Sequence, residues 1–242
     1  MSLELITIGQ TSKMIGVSIQ TLRRWDEAGK LLSVRTAENG HRYYRKEDIE
    51  NYSVINPLKL AKIWTTDGSG FEPRHDFYCP DSSVFQARLS RMESELGKIK
   101  ELNLIFPLIS AIAGEIGNNS FDHNLGNWPD VPGVFFAYNL DKKVVVLADR
   151  GQGILVTLRN VEPGLANHQD ALYVAFTKII SGRAPESRGN GLKFVRDVVM
   201  NNKINLFFQT GNAYFEIKNQ DPNLKIRKSS VNFRGCLALI KF

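Results

Sequence analysis

Closely spaced glycines most constrain how the first 52 residues of this 242-residue chain can fold. Gly16, Gly29 and Gly40 divide the segment into short pieces, because glycine commonly ends helices and forms turns. The pieces before Gly16 and before Gly29 carry apolar residues at helical spacing, and Thr7 and Ser18 are suitable N-caps for them. The sequence therefore predicts two short helices joined at a glycine, which is a helix-turn-helix arrangement.

A β-hairpin is predicted directly after the second helix. Leu31–Arg35 and His41–Tyr44 have the composition of two strands, and the turn Ala37–Gly40 lies between them. The turn contains Asn-Gly, whose residues both tolerate a positive φ and favour tight hairpins. A further helix is expected over Lys46–Tyr52, so the unit is a helix-turn-helix with a wing.

The string Thr21-Leu22-Arg23-Arg24-Trp25, then Gly29, then Gly40-His41-Arg42-Tyr43-Tyr44, resembles the winged DNA-binding domain of the MerR and excisionase families. The resemblance covers residues 5–52. In those families the second helix enters the major groove and the wing grips flanking phosphate or the minor groove. The resemblance implies double-stranded DNA as partner, with contacts from Ser18, Gln20, Thr21, Arg23 and Arg24 on the recognition helix and from Arg42 and Tyr44 on the wing.

The alternative is that these arginines form a solvated helix face and that the tyrosines only pack the hairpin. The local charge favours DNA, because residues 20–46 contain 7 basic and 3 acidic residues. Because one small module binds DNA weakly, a homodimer on a two-fold site is expected.

The net charge of the whole chain is a poorer guide than this local charge. The chain has a formal net charge of +6, and the excess lies in residues 193–242, which contain 9 basic and 3 acidic residues. Lys225, Arg227 and Lys228 cluster in a turn expected between two strands there. Such a cluster is either a solvated edge or a second DNA contact.

Composition excludes several classes of protein. No apolar run approaches the roughly 20 residues of a membrane span, and the N-terminus lacks the features of a secretion signal. Two cysteines are too few for a disulfide framework. We therefore expect a cytoplasmic protein without a membrane partner.

A connector is predicted at residues 53–84, where prolines, glycines and small polar residues follow no sustained period. A strand is expected within it near Leu60–Trp64. From Val84 apolar residues recur at threes and fours up to Leu102, which predicts either a packed helix or a short dimerising coiled coil. Packing within the fold is favoured because the segment is barely long enough for three heptads of a coiled coil.

Three separated motifs follow. Glu115, Asn119 and Asp122 lie on a predicted helix, where Glu115 and Asn119 share one face. A buried strand ends in Asp149-Arg150-Gly151-Gln152-Gly153, and glycines of this kind let backbone approach a flat ring. Gly189-Asn190-Gly191-Leu192 then begins another helix, whose N-terminus exposes N–H groups suited to phosphate. The spacing of any one motif alone is weakly informative.

In this order the three motifs resemble the N box and the two glycine boxes of the GHKL ATPases, which include gyrase, histidine kinases and mismatch-repair ATPases. The resemblance covers about residues 105–242, and the closing run from Asn232 to Leu239 resembles the last strand of that fold. It implies ATP and Mg²⁺ as cofactors. Implied nucleotide-binding residues are Asn119, Asp122, Asp149, Gly151, Gly153, Arg183, Arg188, Gly189, Gly191 and Leu192.

The resemblance also implies individual roles. Asn119 would bind Mg²⁺, Asp149 would hold the adenine amine, and Glu115 would be the general base for water. Residues 158–188 would form a mobile lid from which Arg183 and Arg188 approach the phosphate. A Walker-type P-loop is absent from the sequence.

A sensor histidine kinase is disfavoured by the two histidines that would have to accept phosphate. His75 lies in the predicted connector instead of on an upstream helix, and His123 lies inside the N box. We therefore predict a regulator in which an ATP-binding or ATP-hydrolysing domain is coupled to DNA binding or dimerisation. The alternatives are an anti-sigma-type serine/threonine kinase with a protein partner, and an ATPase of mobile-element or phage-defence DNA processing.

The predicted fold class is α+β. A small winged helix-turn-helix domain over residues 1–52 is followed by the connector at 53–84. An α/β sandwich of the GHKL type then occupies residues 85–242, beginning with the leading helix.

Overall fold

The structure is a computed structural model, and it describes residues 4–15, 17–35, 40–46, 48–49, 57–178, 191–218, 221 and 223–242. The N-terminal unit contains strands β1 (Leu5–Thr7), β2 (Val34–Arg35) and β3 (Arg42–Arg45), with helices α1 (Ile8–Ile15) and α2 (Ile19–Glu27). Its antiparallel sheet has the order β1-β3-β2. No described helix is long and apolar enough to cross a membrane.

The two predicted signals that bound α2 are confirmed. Ser18 is the N-cap of α2, where its Oγ accepts a hydrogen bond from the Thr21 N–H at 3.1 Å. Gly29 follows α2 with φ +67°, a left-handed conformation that glycine adopts without strain. Most of the predicted turn, residues 37–39, lies outside the described residues, as do residues 50–52 of the third helix, of which Lys46, Asp48 and Ile49 are helical.

The predicted strand near Leu60–Trp64 is wrong, because this segment is the middle of helix α3 (Pro57–Thr66). Pro57 stands at the first helical position, where its missing N–H has no intrahelical partner to lose. Leu60, Ala61, Trp64 and Thr65 are buried on one face. This part of the predicted connector is therefore a packed element of the fold.

The C-terminal unit is an antiparallel five-stranded sheet with the order β4-β5-β6-β8-β7. Helices are interspersed along the chain, and Lys100–Leu102 forms a 3-10 turn. The strands are β4 (Tyr78–Cys79), β5 (Val134–Asn139), β6 (Val144–Asp149), β7 (Asn205–Ile217) and β8 (Arg227–Lys241), and the helices are α4 (Ser82–Leu96), α5 (Phe106–Asn124), α6 (Gly153–Arg159), α7 (His168–Thr177) and α8 (Gly191–Asn201).

The two faces of this sheet bury different partners. On one face, alternate strand residues such as Val145 and Leu147 pack with buried residues of α4, α5, α7 and α8. On the other face, Val146 and Ala148 belong to a core shared with α3 and the N-terminal unit. The packing of α4 against this sheet and α5 confirms that its apolar stripe is used within the fold. The protein is a mixed α/β fold in which one sheet lies between the helices and the helix-turn-helix unit.

Candidate DNA-binding surface and nucleotide site

The outward face of α2 carries the exposed residues of the expected recognition surface. Ser18, Gln20 and Arg23 are exposed, whereas Trp25 and Leu22 on the opposite face are buried in the core. Arg23 forms no ion pair with any other described residue, so its guanidinium is available to solvent and to a phosphate. These residues fit the predicted contact surface.

Two predicted DNA contacts point into the protein instead. Tyr44 is fully buried on β3, and its Oη donates a hydrogen bond to the Leu22 carbonyl at 3.3 Å. Thr21 is 3% exposed, and its Oγ1 lies 2.9 Å from the Ser18 Oγ. The prediction of DNA contact is corrected for both: Tyr44 packs the hairpin, and Thr21 supports the start of α2.

Arg42 is held against the recognition helix. Its Nε donates to Asp26 Oδ2 at 2.7 Å, and Arg35 from the neighbouring strand reaches the same oxygen at 3.1 Å. Burial opposes ionisation of Asp26, but the hydrogen bonds from Arg42 and Ser33 outweigh it and hold the pKa of the carboxyl below its usual range. The side chain of Arg42 is 20% exposed, so it braces the wing on α2 and offers little free surface.

Arg24 is paired with a segment beyond α3. Its guanidinium donates to Asp67 Oδ2 at 2.8 Å and to the Ser69 hydroxyl. The side chain of Arg24 is 38% exposed, whereas that of Asp67 is 4% exposed. A predicted DNA-contacting arginine therefore has an acidic partner within the chain.

Asp149 lies at the end of β6 and is 2% exposed. Its Oδ1 accepts from the Gly151 N–H and its Oδ2 accepts from the Ser120 hydroxyl, each at 2.8 Å. Burial raises the pKa of Asp149 to about 6, although these hydrogen bonds and one from the Cys236 N–H oppose the rise. Asp149 is thus a buried acceptor whose charge changes just below neutral pH.

The glycines after Asp149 lie where other side chains leave no room. A Cβ on Gly151 would collide with the amide of Asn124, which accepts a hydrogen bond from the Gln152 N–H at 2.8 Å. Gly153 has φ +76°, and a Cβ there would lie 3.0 Å from Thr210 Oγ1. The loop is therefore pressed against the end of α5 and against β7.

Gly191 at the start of α8 brings the second glycine motif to α5. A Cβ on Gly191 would collide with the Glu115 carboxylate and lie 3.7 Å from the Asn119 amide nitrogen. Glu115 and Asn119 are half-buried. Residues far apart in the sequence thus meet at one end of α8.

The remaining predicted nucleotide residues divide into two groups. Asp122 is exposed and Leu192 is half-buried. Gly189, Arg183 and Arg188 lie outside the described residues, as does the part of the expected lid at 179–190. The described part of that segment, residues 158–178, contains the end of α6 and the helix α7.

The side-chain amide of Asn119 lies close to Gly191 at the N-terminus of α8. Among the described residues, no group of three or more His, Cys, Asp or Glu side chains could hold an ion. Mg²⁺ is commonly bound through one or two protein oxygens together with substrate phosphates and water. The amide of Asn119 next to the N-terminus of α8 fits this pattern.

Several residues of the site have no strong signal in the sequence. Ser120 and Asn124 are single polar residues on the buried side of α5, and Thr210 lies in the middle of a strand. Gly235 has φ +72°, and a Cβ there would collide with Asp149. Only a helical-wheel view of α5, which aligns Ser120 and Asn124 with Ile116 and Ala113, hints that these polar groups are buried.

Arg150 is also absent from the sequence predictions. It is fully buried, its Nε donates to Asp130 Oδ1 at 3.1 Å, and another nitrogen donates to the Trp64 carbonyl of α3. Arg234 pairs with the same aspartate at 2.6 Å. The residue next to Asp149 thus connects the sheet to the α3 side of the molecule.

Comparison with known proteins concerns the N-terminal unit. Residues 7–44 match the model for the MerR family regulatory proteins. The Type II methyltransferase M.Eco47II of Escherichia coli is 47% identical over 49 residues, which are 20% of this chain and 12% of that protein. The transcriptional regulator BrlR of Pseudomonas aeruginosa is 41% identical over 60 residues, 24% of this chain and 22% of that protein.

The chain therefore spans less than a quarter of the length of either relative. The capped helix α2 and the hairpin described above agree with this match. Residues 7–44 form a MerR-family helix-turn-helix domain.

Proposed function

We propose that the protein is a DNA-binding regulator in which a GHKL-type adenine-nucleotide domain controls the MerR-family domain. The observation that carries the proposal is the convergence of Glu115, Asn119 and Gly191 at the N-terminus of α8. The buried Asp149 at the end of β6 supports it, since its hydrogen bond to Ser120 ties it to the same helix α5. Three motifs far apart in sequence therefore belong to one region.

The residues fit an adenine nucleotide in chemical terms. Asp149 would accept from the exocyclic amine of adenine, and the N–H groups of the first turn of α8 would bind phosphate. Asn119 would hold Mg²⁺, which supplies positive charge to the phosphate oxygens. Glu115 would accept a proton from an attacking water, if the nucleotide is hydrolysed.

Shared packing supports the control of DNA binding. Strand β6 ends in Asp149, and its residues Val146 and Ala148 pack in the same core as Trp25 of the recognition helix. A nucleotide can shift DNA binding only if it binds two states of the protein with different affinity. One sheet that contacts both regions is a suitable element to have such states.

Nucleotide binding is tested by calorimetric titration of the full chain with ATP, with and without Mg²⁺. We expect Mg²⁺-dependent binding that Asn119→Ala removes, while Asn118→Ala, an exposed neighbour on the same helix, keeps it. Equal affinity of the wild type and Asn119→Ala would contradict the assigned role. Absence of ATP binding by the wild type would contradict the nucleotide function altogether.

Hydrolysis is tested separately from binding. If the domain turns ATP over, Glu115→Ala keeps ATP affinity and loses phosphate release. If the wild type binds ATP without releasing phosphate, the domain senses ATP and Glu115 has no proton to accept. The proposed regulation holds in both cases, because it requires only differential binding.

A homodimer on a two-fold DNA site is part of the proposal. A single small reading unit buries little surface on DNA, so two copies would provide the affinity that one lacks. Analytical ultracentrifugation of the protein with and without ATP and duplex DNA tests this. A monomer under all four conditions would contradict it.

A further inference from the structure

The turn that follows α3, Asp67–Ser69, contacts the recognition helix at Arg24. Asp67 Oδ2 accepts from Arg24, while Asp67 Oδ1 accepts from the Ser69 N–H at 3.1 Å. The Ser69 hydroxyl accepts a second donor of the Arg24 guanidinium. Two oxygens of one turn therefore occupy two nitrogens of Arg24, as phosphate oxygens would.

Hydrogen bonds that do not include Arg24 hold the turn in place. The Asp67 N–H donates to the Ile63 carbonyl at 3.0 Å, and Trp64 Nε1 donates to the Phe71 carbonyl at 2.7 Å. Gly70 has φ +64°, and a Cβ there would lie 3.1 Å from Asp130 Oδ2. The turn is thereby rigid on both sides of Ser69, so little conformational entropy is lost when it binds the arginine.

The turn is also tied to the glycine-rich segment of the sheet. Arg150, next to Asp149, donates to the Trp64 carbonyl in the last turn of α3 and pairs with Asp130. On the other side, Phe71 contacts Trp25 of the recognition helix edge-on, with ring centroids 6.4 Å apart. The turn thus stands between Arg150 and the recognition helix.

A small crevice lies beside the Arg24 contact. Apolar and aromatic side chains from α2, α3 and β5 line this crevice between the MerR-family domain and the sheet. The Arg24 side chain is 38% exposed, so it can leave the turn for solvent or a phosphate while the surrounding core stays packed.

We propose that the Asp67–Ser69 turn is an internal competitor of DNA for Arg24. With the turn engaged, Arg24 neutralises Asp67, and the recognition surface is left with Arg23 as its free guanidinium among the described residues of α2. With the turn released, Arg24 becomes a second phosphate contact. The inference rests on the DNA binding of the proposed function but needs no nucleotide.

The test is a double-mutant cycle of Arg24→Ala and Asp67→Asn, read by fluorescence anisotropy with a labelled mixed-sequence DNA duplex and no ATP. Phosphate contacts do not depend on base sequence, so this probe reports them without a known operator. We expect Asp67→Asn to raise DNA affinity about fivefold, the upper range for a single ion pair. The salt slope should steepen by about 0.9, which corresponds to one added phosphate contact.

The cycle separates competition from a general change in charge. In the Arg24→Ala background, Asp67→Asn should have no effect, because the competed side chain is missing. Glu72→Gln is the matched control, since it removes one negative charge from an exposed position just after the turn and leaves the Arg24 pair intact. Ser69→Ala, at an exposed position, should raise DNA affinity less than Asp67→Asn does. It weakens the same contact without changing a buried residue, so it tests the competition even if Asp67→Asn misfolds.

Three results would overturn the inference. Asp67→Asn leaves DNA affinity unchanged or lowers it, which means that the turn orients Arg24 for DNA. Asp67→Asn raises affinity equally with and without Arg24, which means that only net charge matters. None of the proteins binds DNA, which overturns the proposed regulator as well, whereas a failure confined to ATP leaves the competition standing.

Discussion

The two faces of the five-stranded sheet differ in how their characteristic residues are distributed along the sequence. One face carries α5 and α8, whose motif residues are few, polar and far apart in sequence. The other face carries the MerR-family domain, whose residues 7–44 form a contiguous match to a known family. Alternate residues of β6 serve both faces, since Leu147 packs on the first and Val146 on the second.

This difference indicates where a ligand on one face of the sheet could change DNA binding on the other. The helix face holds the groups that we propose to bind a nucleotide, while the opposite face contacts the helix that carries Arg24 and Trp25. Arg150 joins the two because it neighbours Asp149 in sequence and donates to α3 in space. The comparison predicts that variants at this junction have larger effects than variants on either outer surface.

The largest effect is expected at the junction itself. Arg150→Met should lower the free energy of unfolding by about 2–4 kcal/mol, because the buried Trp64 carbonyl loses its donor and Asp130 keeps only Arg234 as its ion-pair partner. Chemical denaturation measures this. Arg234→Ala is the control, since Arg234 pairs with the same aspartate but is 41% exposed, and it should cost about 1 kcal/mol or less. Equal losses would show that burial of Arg150 contributes nothing special.

The next largest effect concerns the helix face alone. Asp149→Asn should reduce ATP affinity at least about tenfold, because hydrogen bonds to a charged group are among the stronger ones. The variant should be no less stable at neutral pH, since the raised pKa of Asp149 means that the wild type loses stability as pH rises from the ordinary aspartate pKa to about 6, and a neutral amide avoids this loss. Titration calorimetry and thermal unfolding measure the two effects. Asp141→Asn, exposed in the β5–β6 turn, should change neither.

The same carboxyl predicts a pH dependence. A group with a raised pKa in the folded protein is protonated below about pH 6, and a protonated Asp149 loses the negative charge that attracts the amine. ATP affinity should therefore fall as pH is lowered through about 6, by up to about tenfold per pH unit. Asp149→Asn should remove this dependence. A flat profile for the wild type would contradict the role of Asp149.

The smallest effect is expected on the outer surface of the MerR-family domain. Arg23→Ala should weaken binding to any duplex and reduce the salt slope by about one, as expected for a phosphate contact. Tyr44→Phe should leave DNA affinity unchanged, because it removes only the hydrogen bond to Leu22 and costs about 1 kcal/mol of stability. Salt-dependent anisotropy measures both. A loss of DNA affinity in Tyr44→Phe would show that the Tyr44 hydroxyl contributes to DNA binding.

Local signals allowed much of the fold to be predicted. Ser18 and Gly29 bound α2 as expected, and the apolar stripe after Val84 forms a packed helix, because caps and periodicity are properties of neighbouring residues. The segment near Leu60–Trp64 was not predicted as a helix, since a short apolar run fits a buried strand or a buried helix equally well. Pro57 as a helix start was the missed signal.

Tertiary contacts limited what could be predicted of the site. Asp149 was chosen because it ends a buried strand, but its partner Ser120 depends on how α5 packs against β6. The direction of Tyr44 depends on the register of β3 with β1 and β2, and a shift of one residue would have turned it outward. Arg24 and Arg150 meet acidic partners distant in sequence, and no local pattern reports such pairs.

The central claim is that nucleotide binding and DNA binding are coupled through the shared sheet. The most direct measurement is the DNA affinity of the wild type at fixed salt with and without saturating ATP and Mg²⁺, together with the ATP affinity with and without DNA. We expect the same factor in both directions, at least about fivefold, because linkage is reciprocal. A factor of one in both directions, with each ligand still bound, would contradict it.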